Sequence, residues 1–353
     1  MMTTECPQSQ LPEVGGWIPS LTFTRSDMNL TTRTDLSFLY KILRILIRPI
    51  RPHLVGVGKG KPYPAGSPNL NPPKTKCSIR HRQVEGMNLY DFYCSTSNSS
   101  DPGSAKHSHS HRVFYFAGGG FQSPPSKEHW VFCSELCRRS SGMFHITLVS
   151  YPLAPNTPAP ESLSALFKWF STTCAESVQV NEHITLMGDS SGGNIALALA
   201  FWWTGQLAEP DGSPLKSVLV MSPPTDLRNQ NPSIKEADRY DPILSIPLTT
   251  NVAKTWAGSK WTLDRPELSP NLFEDSSFRK IRDSGVKVHG VVGTYDVLAP
   301  DAMVFYERCR DNEVEGEWLE WKGQMHCFPL TWMYRLPEGE AGLQWIVNLL
   351  KHA

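Results

Sequence analysis

A run near the middle of the chain, Gly188-Asp189-Ser190-Ser191-Gly192-Gly193-Asn194, has residue types and spacing that suit nucleophilic chemistry. It directly follows the apolar run HITLM and leads into a helix-like stretch, GGNIALALAFWWTG. A strand, a tight turn and a helix in that order present the central serine alone at the carboxyl edge of a sheet. The turn needs small neighbours, and Gly188 and Gly192 supply them. Ser190 is therefore the candidate nucleophile. The N–H of Ser191, opening the helix, points to where an oxyanion would form. Taken alone, the motif also fits a glycine-rich strand–helix turn with no chemistry.

Three further features fall in the order such chemistry requires. Gly118, Gly119 and Gly120 follow the apolar run RVFYF and leave backbone N–H groups bare to face a ligand. A phosphate loop is the competing reading, but neither GxGxxG nor GxxxxGK[ST] is present. Asp296 lies just past the strand-like VKVHGVV, where a carboxylate can orient a histidine. His326 lies just past EWLEW and can take the serine proton and return it to a leaving group. Asp301 is the rival acid, but it opens a helical pattern and reads as an N-cap.

The elements that must position these residues are legible as alternation. CSIRHRQV and MNLYDFYC read as an opening antiparallel pair, and RVFYF, HITLVSY, HITLMG, SVLVMSP, VKVHGVVG and EWLEW as further strands. Helical patterns lie between them, and GEAGLQWIVNLLKH closes the chain. Alternation of this kind predicts an α/β fold, a mostly parallel eight-stranded sheet with helices on both faces. Three regions are expected. Residues 1–57 form an N-terminal arm with an amphipathic helix, 58–76 a Pro/Gly-rich linker, and 77–353 the main domain with an insertion at about 228–268.

Charge is unevenly spread. From Leu36 to Val84 there is no Asp or Glu but there are ten Lys or Arg, although the whole chain has a net charge of zero. Within this stretch LSFLYKILRILIR predicts a helix capped by Thr34 or Asp35 and stopped by Pro49, with Lys41, Arg44 and Arg48 on one face. Packing on the body is one reading of it, and peripheral membrane contact through residues 36–51 is the other. Zero net charge argues against a nucleic-acid partner. No apolar run approaches the length of a transmembrane helix, and the N-terminus does not read as a signal peptide. The expected location is cytoplasmic. The eight cysteines show no CxxC pair and read as free buried thiols. His107, His109 and His111 alternate in a Ser-rich loop that is better read as solvated than as a metal site. No metal or cofactor is expected.

The chain resembles the hormone-sensitive-lipase-like branch of the α/β-hydrolases, most closely its fungal members. The likeness rests on YFAGGGF (115–121), YPLAP (151–155), GDSSGGN (188–194), SPPTDL (222–227), YDVLAPD (295–301) and GQMHCF (323–328). It implies an α/β-hydrolase fold with a helical lid built from the arm and the insertion. It implies Ser190 as nucleophile, Asp296 as acid and His326 as base, with an oxyanion hole from the N–H groups of Gly118, Gly119 and Ser191. The implied activity is hydrolysis of a carboxylic ester or thioester of a small to medium lipophilic substrate, in a setting such as fungal secondary metabolism. The alternative is non-hydrolytic use of the same pocket for a cyclisation or condensation. One position departs from the family. The residue before the glycines is usually His and here is Ala117, so the loop is expected to be poorly braced and mobile until substrate binds.

Overall fold

The computed structural model describes residues 28–54, 56–57, 61–94, 111–207 and 212–352. Its strands are β1 (Met28–Arg33), β2 (Ser78–Val84), β3 (Met87–Tyr93), β4 (His111–Phe116), β5 (His145–Ser150), β6 (His183–Asp189), β7 (Leu215–Met221), β8 (Lys287–Tyr295) and β9 (Gly316–Met325). Its helices are α1 (Phe38–Ile47), α2 (Arg51–Leu54), α3 (Lys127–Ser140), α4 (Ala159–Gln179), α5 (Ser191–Gln206), α6 (Ile234–Tyr240), α7 (Ile246–Ala257), α8 (Asp275–Asp283), α9 (Ala299–Asp311) and α10 (Pro337–His352).

The strands form one sheet in the order β1-β9-β8-β7-β6-β4-β5-β3-β2. β3 pairs antiparallel with β2 and with β5, and the other neighbours run parallel. The eight expected strands are all present. A ninth, β1, corrects the expected count. It lies in the arm and pairs with β9, Met28 opposite Gly316 and Arg33 opposite Trp321. Only Met28 of β1 is buried, so the strand carries no apolar alternation to betray it. Its backbone pairing is joined by polar contacts such as Asn29 to Glu317.

Neighbouring side chains of a buried strand enter opposite layers. Phe114 joins a core with Trp169 of α4, Leu199 of α5, Phe278 of α8 and Phe305 of α9. Tyr115, the next residue, joins a second core with Phe132 of α3, Tyr40 of α1 and Leu343 of α10. Helices thus cover both faces, and the central parallel strands β4, β6 and β7 are buried nearly throughout. Among the described residues no helix is long and apolar enough to cross a membrane.

Three local expectations change. α1 is capped by Ser37, which accepts the N–H of Tyr40, rather than by Thr34 or Asp35. Residues 61–77 hold no helix or strand, but they are strapped to the sheet rather than free. Ser67 Oγ accepts the N–H of Asn88 at 2.8 Å, and Tyr90 accepts that of Leu70. Cys77 and Cys94 form a disulfide, because the pairing of Ser78 with Tyr93 sets the flanking positions opposite each other, 4.6 Å apart at Cα. Cys133, Cys137, Cys174, Cys309 and Cys327 are free and buried. His107 and His109 lie outside the described residues, while His111 is buried in β4 against Thr185.

Candidate active site

β6 ends at Asp189 and α5 begins at Ser191, leaving Ser190 alone in the turn at φ 50°, ψ −125°. That backbone is costly for a residue with a Cβ and needs close support. The support comes from two glycines. A Cβ on Gly192 would lie 2.0 Å from Phe116 O, and one on Gly188 would lie 2.4 Å from Gly192 C. The N–H of Ser190 donates to Met221 C=O at 2.8 Å. Asn194 ties the helix to the next loops by donating to the carbonyls of Pro224 and Leu268.

Asp296 follows β8 and is fully buried. Its Oδ2 lies 2.8 Å from His326 Nδ1, and its Oδ1 accepts the N–H of Leu298 at 2.9 Å. Burial works against the imidazolium, but the Asp296 carboxylate outweighs it and holds the His326 pKa well above its usual value. With Nδ1–H on Asp296, His326 Nε2 presents a lone pair. That nitrogen is 3.4 Å from Cys327 Sγ. Burial pushes the Cys327 thiol up to about 11, so it stays protonated. Among the described residues no hydrogen bond joins Ser190 Oγ to His326. Asp301 is not on the histidine. It sits in the first turn of α9 after Leu298 at the cap position, and it is buried.

The glycine loop departs from expectation in two ways. The N–H of Gly118 is not free for an oxyanion, because it donates to Asp189 Oδ1 at 2.9 Å. Gly119 and Gly120, at φ 146° and 58°, adopt conformations that favour glycine. The loop is also braced without a histidine at Ala117. Tyr151 Oη donates to Ala117 C=O at 2.9 Å. Asp189 accepts from Tyr115 Oη at 2.6 Å on the same oxygen as Gly118, and its other oxygen meets His129 Nε2 at 3.2 Å. The N–H of Ser126 donates to His129 Nδ1, which makes Nε2 the donor toward Asp189. Burial disfavours the Asp189 charge, but His129 and these hydrogen bonds outweigh it and hold its pKa below the usual range.

A cavity of about 890 Å³ opens over these groups and is lined by Ser190, His326, Gly119 and Gly120. Its walls are mostly apolar. Leu39, Leu43 and Ile47 come from α1, and Ile243, Leu248 and Val252 from the insertion. Behind it stands Asp241, fully buried between α6 and α7. Its carboxylate accepts the N–H groups of Ile243 and Leu244 on one oxygen and of Val297 on the other. Burial and the neighbouring Asp296 charge push the Asp241 carboxyl up to about 7. Asp189, His129, Asp241 and Cys327 were not picked out from sequence. The first directly precedes Ser190 and the last directly follows His326, so adjacency to the motifs was an available clue for those two. Nothing local marks His129 or Asp241. Among the described residues one group has the donor set of a metal site, Cys77, Cys94 and Cys137, with sulfurs within 4.8 Å. Two of the three are bonded to each other, and none lines the cavity.

A mostly parallel sheet with a strained serine turn at its carboxyl edge defines a class, and the chain belongs to the α/β-hydrolase fold family, whose profile matches residues 113–330. Within that class it falls in the hormone-sensitive-lipase-like branch. It is 27% identical over 218 residues to an esterase of Acinetobacter venetianus, covering 62% of this chain and 67% of that protein. It is 28% identical over 152 residues to human hormone-sensitive lipase, covering 42% of this chain but only 14% of that one. Among solved structures, a hormone-sensitive lipase from a metagenome library aligns with a TM-score of 0.67 at 17% identity, over 91% of this chain and 99% of the other.

Proposed function

We propose that the protein hydrolyses a carboxylic ester of a lipophilic substrate through an acyl-enzyme on Ser190. The observation that carries this reading is the strained Ser190 turn sharing one cavity with a histidine held by a buried carboxylate, Asp296 Oδ2 at 2.8 Å from His326 Nδ1. The names of the relatives, an esterase and a hormone-sensitive lipase, point the same way.

In this mechanism the His326 imidazole leaves Cys327 and takes the proton of Ser190 Oγ. The oxygen attacks the ester carbonyl carbon. The carbonyl oxygen gains the negative charge and faces the N–H groups of Gly119, Gly120 and Ser191. His326 then protonates the departing alkoxide, and the alcohol leaves. A water repeats the sequence on the acyl-enzyme and restores Ser190. Asp296 keeps Nδ1 protonated and steadies the imidazolium. α1 and the insertion act as the lid, and their leucine, isoleucine and valine side chains favour an apolar acyl or alcohol group.

The test is labelling with an active-site fluorophosphonate together with turnover of p-nitrophenyl esters of graded acyl length. Labelling at Ser190 with turnover that rises beyond the acetate is expected. Folded protein that never labels would sink the serine-nucleophile reading. Labelling without turnover of any ester would favour enolisation of a carbonyl, and with it cyclisation or condensation.

A further inference from the structure

α1 is apolar on more than the face it packs. Tyr40, Leu43 and Ile47 turn inward, onto the second core or the cavity wall. Opposite them Phe38, Ile45 and Leu46 are 78%, 67% and 65% exposed, and Ile42 is exposed beside them. At 100° per residue these four fall within one arc of about 100°, and Leu39 closes its edge. Leu39 is itself exposed and also lines the cavity, so apolar surface runs without a break from solvent to the site of Ser190.

The charges around this arc have one sign. Lys41 and Arg48 are exposed along its other edge, with Arg44 behind them over the ring of Tyr295. Between Leu36 and Val84 the chain has no acidic residue. Acids of the segments that contact this arm are engaged. Asp238 pairs with Arg51, Asp35 pairs with Arg33, and Glu338 is buried on Ser37. An exposed apolar arc beside a basic stripe is the pattern of a helix lying in a lipid–water interface. A second copy is a poorer occupant. A ten-residue helix is about 15 Å long and offers far less than the ~800 Å² per partner of a specific dimer.

We propose that the outer face of α1, Phe38, Ile42, Ile45 and Leu46 with Lys41 and Arg48 beside them, docks on an anionic lipid surface and opens the cavity toward it. Lipophilic substrate then moves from the lipid phase past Leu39 to Ser190 without crossing water. This goes beyond the reaction proposed above, and its test involves no hydrolysis, so either reading can fail without the other.

The experiment is flotation of the full chain with phosphatidylcholine vesicles, with and without phosphatidylglycerol. Binding to the phosphatidylglycerol vesicles that weakens in high salt is expected. The Ile45→Glu/Leu46→Glu variant should lose more than about tenfold in partition, since both side chains are solvent-facing and their replacement leaves the core intact. Lys41→Glu should lose the preference for phosphatidylglycerol while retaining some binding to both vesicles. Full-chain protein that stays unbound to both vesicles would overturn the proposal. So would a double variant that binds like the wild type. A wild-type dimer that the double variant converts to monomer would assign the face to a second copy and equally overturn it.

Discussion

Gly118 spends its backbone N–H on the Oδ1 of Asp189, 2.9 Å away, so the residue before the nucleophile anchors the loop that faces it. The anchor compensates for Ala117 and leaves the next two N–H groups for the substrate. Asp189→Asn should disrupt it. An amide oxygen kept on Tyr115 and Gly118 sets the new nitrogen against the donor nitrogen of His129, and the flipped amide sets it against Gly118 and Tyr115. The side chain therefore cannot stay in place with all its partners. A buried donor pair of this kind costs about 1–3 kcal/mol. The expected outcome is a loss of that order in denaturant unfolding with a larger proportional loss of kcat. Faster hydrogen exchange at Gly118–Gly120 should accompany it. Unchanged exchange would show that the anchor lies elsewhere.

Ser190→Ala should abolish ester turnover and fluorophosphonate labelling while changing stability by less than about 1 kcal/mol. The hydroxyl removed has no hydrogen-bond partner among the described residues, so no buried group is left unpaired. Thermal unfolding beside the activity assay checks both halves.

The two aspartates near the end of β8 should separate cleanly. Asp296→Asn presents an amide to His326 Nδ1 and should cost orders of magnitude in kcat. Asp301→Asn should leave activity within a few-fold, because it does not touch the histidine. Its carboxyl is pushed up to about 6 by burial, so the site disfavours the charge relative to water and loses less when the neutral amide replaces it. Equal losses in the two variants would reverse the assignment.

The base must be neutral to accept the serine proton, and Asp296 raises the His326 pKa against the opposing effect of burial. Activity should therefore rise with pH, with a midpoint above the ordinary histidine value of about 6.5. In the residual activity of Asp296→Asn that midpoint should move down. A profile already flat at pH 6 would contradict the raised value.

Asp241 makes a stability prediction. Its folded pKa, about 7, is raised above the usual carboxylate range, so the native state binds more protons than the unfolded chain between that range and about 7. Stability contributed by this group is thus present at the acid end and falls as pH rises across the window, by at most about 1.4 kcal/mol per pH unit. Asp241→Asn removes the titration and should flatten this slope, although it also sets the amide nitrogen against either the N–H of Val297 or those of Ile243 and Leu244 and lowers stability overall. Urea unfolding from pH 4 to pH 8 in both proteins measures the two slopes.

Sequence reached the reacting groups more easily than their supports. Ser190, Asp296 and His326 each sit directly after a strand, and strand ends are legible from apolar runs bounded by glycine and loop residues. Eight strands were found for the same reason. β1 was missed because MNLTTR is held by its pairing with β9, and its side chains are mostly exposed. In sequence Asp189 stands out only as part of a motif, since its partners Tyr115 and His129 lie far from it along the chain. The donor role given to Gly118 failed because three consecutive glycines look alike until one N–H finds an acceptor. Asp241 was invisible for a similar reason. Its meaning depends on Val297 and Asp296, which the sheet brings beside it.

The pairing of β1 with β9 also orders assembly. Asn29 and Glu317 touch across 288 residues of chain, and α1 with its share of the cavity wall follows directly after β1. Closing a loop of that length carries a large entropic cost before any contact repays it. During synthesis β1 emerges first and has no strand to join until β9 has left the ribosome. The sheet from β2 to β8 can form in the meantime, and Ser190 can reach its turn while one wall above it is still missing. The wall that α1 supplies can therefore be fixed by this pairing only after β9 is made, although β1 precedes every other strand of the sheet.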